Sequence, residues 1–87
     1  MARYDMATVE TAALGAAGPD TFFELGMMYS TGRSVPPDLI AAHKWFNIAA
    51  MRGNAEATRL RREISGEMSE IEIAAAQRAA RDWLSAH

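Results

Sequence analysis

The sequence has no cysteine, so neither a disulfide framework nor a thiolate metal site can make up for a small core. The fold must hold by packing alone. Neither charge sign dominates: the formal net charge is −2, which leaves no basic field for a phosphate backbone and makes nucleic acid an unexpected partner. No segment approaches the ~18 uninterrupted apolar residues of a membrane span. The first ten residues, MARYDMATVE, carry acids at Asp5 and Glu10 and no long apolar run. A soluble, unexported, cytoplasmic protein without a membrane partner is expected. β-branched residues are scattered and never alternate over a run of five, which argues against strands. Catalytic sets are missing as well. No Gly-rich phosphate loop, no His-x-x-x-His or Glu-x-x-His pair and no nucleophile with an evident base can be read. No catalytic residue, metal site or cofactor is expected.

What is present suits a folded chain. Apolar residues make up 49% and charged residues 23% of 87 residues, a globular rather than a disordered balance, in one small domain. Glycine and proline punctuate the chain at GPD (18–20), TGRSVPPD (31–38), RGN (52–54) and SGEMS (65–69), and the segments between these marks suit three to four helical turns. Phe22, Leu25, Gly26 and Tyr29 recur at helical spacing in the first, and Ala42, Trp45, Phe46, Ala49 and Ala50 in the second, so both are amphipathic helices. Asp20, Asp38 and Ser69 stand where N-cap side chains satisfy free amides, and Gly53 where a left-handed residue ends a helix. The chain is all-α.

A repeat appears when the chain is slid along itself. Gly18 falls on Gly53, Phe22 on Ala57, Leu25 on Leu60 and Tyr29 on Ile64; beyond the turn, at a shorter offset, Asp38 falls on Ser69, Ala42 on Ile73, Trp45 on Ala76 and Ala49 on Ala80. A helix pair therefore occurs twice. Residues 5–17 read as a worn copy of the second helix of a pair, although Thr8, Thr11 and Gly15 are poor helix formers.

The stretch LGMMYSTGRSVPPDLIAAHKWFNIAAMRGNAEA resembles the Sel-one-like repeat (SLR) family, a helix-turn-helix relative of the tetratricopeptide repeat. The pattern is met by Leu25, Gly26, Tyr29, Gly32, Val35, Asp38, Ala42, Trp45, Phe46, Ala49, Ala50 and Gly53. The tail MSEIEIAAAQRAARDWL is similar to the closing segment of small bacterial members. The resemblance implies an SLR/TPR-like α-solenoid of four to five helices, divided into an N-terminal segment (1–17), a complete repeat (18–53) and a degenerate second repeat with a C-terminal helix (54–87). Two positions depart from the pattern: Arg61 replaces the glycine of Leu-Gly, and the second loop lacks Val-x-x-Asp. Gly26 should let the first two helices cross closely, with alanine tolerable there and valine not. Arg61 must instead send its head to water, and the second pair should pack wider. Trp45 and Phe46 are expected on the core stripe facing Leu25 and Tyr29, interlocked with alanines, rather than in a ligand cage.

For function, the resemblance implies protein–protein interaction without catalysis. First helices of successive pairs line a concave surface in this family, which here offers Phe23, Met27 and Ser30 from one helix and Thr58, Arg62 and Ser65 from the other. Phe23, Met27 and Arg62 are the expected partner-binding residues, for a protein or peptide with an apolar anchor and an acidic residue. RLRR (59–62) is the one basic cluster, and a solvated face with Glu56 and Glu63 is its plainer reading. His43, beside the core stripe, reads as a surface or satisfied histidine rather than a metal ligand. The alternative function is a self-assembling structural protein, a homodimer through the C-terminal helix, whose apolar arc at Ile71, Ala75 and Ala79 is wider than one neighbour covers.

Overall fold

The computed structural model describes residues 18–87. Four helices follow one another: α1 (Pro19–Thr31), α2 (Leu39–Met51), α3 (Ala55–Ser65) and α4 (Glu70–Ala86), with no strand among the described residues. None of these helices is long and apolar enough to cross a membrane. The helix read over 5–17 lies outside the described residues.

Side chains fix most of the helix boundaries. Asp38 caps α2 by accepting from the Ala41 amide at 3.1 Å, and Asn54 caps α3 by accepting from the Ala57 amide at 2.8 Å. Ser69 and Glu72 form a reciprocal capping box at the start of α4, which satisfies two amides that helix geometry leaves without partners. Asp20 is not the cap expected of it. Pro19 already occupies the first helical position behind Gly18, where its fixed φ suits the turn and its missing N–H costs nothing. Asp20 falls in the first turn and accepts from Asn54 Nδ2 at 3.3 Å, which ties the start of α1 to the start of α3. At the other end of α1, Gly32 adopts φ +78° and donates its N–H to the Met28 carbonyl, a left-handed closure that glycine adopts without steric cost.

α2 is the centre of the molecule, and α1, α3 and α4 each pack against it. That explains why α2 buries more than the stripe read from spacing: besides Ala42, Trp45, Phe46 and Ala49, it buries Ile48 and His43. A helix with neighbours on several sides needs apolar character around most of its circumference. Trp45, 1% exposed, stacks on Phe22 of α1 with ring centroids 6.0 Å apart, and Trp83 of α4 meets both rings edge-on at 5.3 and 5.5 Å. One aromatic cluster thus joins three helices. Phe46 lies on the other side, beneath Gly26 and tilted against Phe23 at 5.9 Å.

At Gly26 the crossing is closer than the sequence reading allowed. A Cβ there would sit 2.4 Å from Phe46 Cδ1 and 2.5 Å from Cε1, so alanine no longer fits. The second pair is wider, with α4 lodged against α2 rather than closely on α3. Arg61, however, does not send its head to water as expected. Its Nη1 donates to Asn47 Oδ1 of α2 at 2.7 Å, because a polar partner on the central helix lies within reach of the long stem.

Candidate functional site

Four of the six residues expected to line the groove follow core positions by one step, which turns their Cα–Cβ bonds about 100° away from the core centre. Phe23 follows Phe22, Met27 follows Gly26, Thr58 follows Ala57 and Ser65 follows Ile64, and each of the leading residues is buried. Phe23 and Met27 are half-buried and pack against the core cluster. Phe23 owes its partial burial to Phe46, whose ring packs against it. The Ser30 hydroxyl donates to the Met27 carbonyl at 3.2 Å, as does the Thr31 hydroxyl at 2.7 Å. Both hydroxyls are held by their own helix.

The three arginines of RLRR separate into different roles. Arg59 pairs with Glu56 and Glu63 across neighbouring turns, which lowers the Glu56 carboxyl below its usual range through the hydrogen bond it accepts. Arg61 is held by Asn47. Arg62 is exposed and has no hydrogen bond or ion pair among the described residues. Spacing alone shows part of this, since Arg59 has acids three residues before and four after it while Arg61 and Arg62 have none at those positions. Only the burial of Arg61 against α2 singles out Arg62 as the free cation among the three.

Ser65 turns inward instead of lining a groove. Its hydroxyl lies 3.0 Å from His43 Nε2 and 2.8 Å from the Arg61 carbonyl. A serine has a single proton, and the Arg61 carbonyl can only accept, so the consistent assignment has Ser65 donating to Arg61 and His43 Nε2–H donating to Ser65. A serine beside a histidine has the makeup of a nucleophile and its base, but here the imidazole presents a proton to the hydroxyl rather than a lone pair. Nδ1 is buried with no partner among the described residues. No group of three or more His, Asp or Glu that could hold a metal occurs among them either.

The same arrangement makes His43 a pH-sensitive element of stability. Burial first, and the nearby Arg61 charge second, hold its pKa below the ordinary 6.5. When pH falls past 6.5, the unfolded chain takes up a proton that the folded chain refuses. The stabilisation is therefore complete above about 6.5 and declines as pH drops towards the folded value. The denaturation midpoint of His43→Gln should fall less than that of wild type between pH ~7.5 and ~5, the comparison cancelling the carboxylates common to both. Parallel pH curves would remove His43 as the source.

On the last helix, Ile71 is 83% exposed while Ala75 and Ala79 are half-buried. Ala76 and Ala80 face the core. Ile71, Ala75 and Ala79 lie on α4, Phe23 and Met27 on α1, and Arg62 on α3.

In comparison with known families, residues 23–54 match the Sel1 repeat. The match takes in most of α1, the loop, all of α2 and the cap of α3, and its close helix crossing at Gly26 is the one described above. Neither the curated proteins nor the solved structures give a match.

Proposed function

We propose that this chain, which carries a Sel1 repeat over residues 23–54, is a non-catalytic adaptor that holds a protein or peptide against the α1 and α3 surface. Sel1 repeats in general serve protein–protein interaction. What supports the reading is a half-buried apolar flank on α1, Phe23 and Met27, together with Arg62 on α3, the one arginine of its cluster that has no partner among the described residues. An apolar anchor fixed by packing loses little side-chain freedom on binding, and a free guanidinium selects a carboxylate. A bacterial, cytoplasmic setting belongs to the same proposal, supported by the resemblance of the tail.

Selection from a displayed random-peptide library provides the test. Wild type should enrich peptides that combine a large apolar residue with Asp or Glu, and Arg62→Glu should reverse that charge preference with helicity unchanged. Arg62 is exposed, so its substitution leaves the core alone; Met27→Glu would be harder to interpret, because Met27 leans on the core. Enrichment without an acidic preference, or one indifferent to Arg62→Glu, would move the site off this surface.

A further inference from the structure

In α1, α2 and α3 most charged side chains are engaged. Glu24 pairs with Arg33, Arg59 with Glu56 and Glu63, Arg61 with Asn47 and Asp20 with Asn54; Arg52 lies over the Phe22 ring, and Asp38 caps a helix. α4 differs. Glu72 is held in the capping box, but Glu70, Arg78, Arg81 and Asp82 are exposed and have no ion pair or hydrogen bond among the described residues. Ile71 and Ala74 are exposed on the same helix. Ile71 precedes the buried Ala80 by two and a half turns and therefore points away from the core.

The placement of these charges has a direction. Glu70 and Arg81 stand eleven residues apart, about three turns at 3.6 residues each, so they lie on one flank of α4 roughly 16 Å from one another. That is too far for them to pair within the helix. We infer that the outer face of α4 docks a second copy of this chain, antiparallel to the first, with Glu70 of each copy against Arg81 of the other.

In a two-fold antiparallel pair the same flank meets the same flank, so a single charge complementarity is used twice. A parallel copy would set Glu70 on Glu70 and Arg81 on Arg81. With Glu70 opposite Arg81 no like charges meet elsewhere: Arg78 falls opposite Ile73 and Asp82 opposite Ser69. The symmetry axis then passes between positions 75 and 76, with the exposed Ala74 of each copy opposite Gln77 of the other, a short side chain facing a longer one that can lie along it. Antiparallel alignment also opposes the two helix dipoles favourably. One helix pair of this length buries less than the roughly 1,200 Å² of a standard interface, so association should be weak, with a Kd on the order of 10–100 μM, and salt-sensitive. None of the groove residues takes part, so groove and dimer can fail separately.

Sedimentation equilibrium of the full chain at low salt, from ~5 to ~500 μM, reads the result directly. Wild type should show a monomer–dimer equilibrium that weakens with added salt. Glu70→Lys and Arg81→Glu should each weaken it about tenfold or more, since each turns two attractions into two repulsions. The double variant, Glu70→Lys with Arg81→Glu, should return to within about threefold of wild type, because the sign pattern is only exchanged. Both residue changes are at exposed positions, and circular dichroism verifies the fold of all three variants. A wild type monomeric throughout would overturn the inference, as would single variants that dimerise like wild type. A double variant weaker than either single would rule out the antiparallel register.

Discussion

Trp45→Ala should destabilise the protein by about 3–5 kcal/mol, the range for deleting a buried aromatic ring. Domains of this size are stable by only about 5–15 kcal/mol, so most of the variant should be unfolded or aggregated near body temperature. The expectation rests on where the ring sits. Trp45 is 1% exposed between Phe22 and Trp83, so its loss takes a partner from each of these rings, leaves them only their mutual contact, and opens a hole walled by three helices. Equilibrium unfolding in urea would give the value. A variant that melts like wild type but loses a bound ligand would mean that the ring serves recognition rather than the core.

The second large effect is expected at Gly26. In a helix interior, Gly→Ala ordinarily gains about 0.5–1 kcal/mol. Here the new methyl would overlap Phe46, a fully buried ring with Phe23 against it, and overpacking of this kind costs about 1–3 kcal/mol. The clash outweighs the propensity. Gly26→Ala should therefore lower the urea midpoint, and Gly26→Val should lower it further. Combining Gly26→Ala with Phe46→Leu, which removes ring atoms at the contact, should cost less than the sum of the two single changes. A Gly26→Ala protein as stable as wild type would mean that the helices can separate at the crossing without penalty.

Much of this fold can be read from the amino acids because its helices end at residues with local chemistry. Asp38, Ser69 and the glycines at 32 and 53 act on backbone groups a few residues away, and a linear sequence records such relations directly. The close crossing at Gly26 was legible for a similar reason, a glycine placed on an otherwise apolar stripe. Long-range geometry was not. Periodicity assigns one inward face to each helix, so it cannot show that α2 has neighbours on several sides, and His43 and Ile48 are buried by that fact alone. Arg61 was misread because its partner, Asn47, is fourteen residues distant. The depth of the groove residues was not legible, since the contact of Phe23 with Phe46 and the inward turn of Ser65 towards His43 both depend on another helix. Asp20 was misplaced by two residues, because Gly18 holds the cap position and Pro19 starts the helix two steps earlier than a cap at Asp20 implies.

The central place of α2 has a bearing on cooperativity. In a long solenoid each helix pair stands on its own and on its neighbours, so stability accumulates unit by unit along the array. Here α1, α3 and α4 share one supporting helix, and the repeat that can be cut out of the sequence is not a unit that can be cut out of the energy. Removing the second pair would strip two sides of α2, including its Trp83 contact, and opening α2 would leave the other helices joined only by minor contacts such as Asp20–Asn54 and Phe22–Trp83. The repeat describes a pattern along the chain, whereas the packing turns around a single axle.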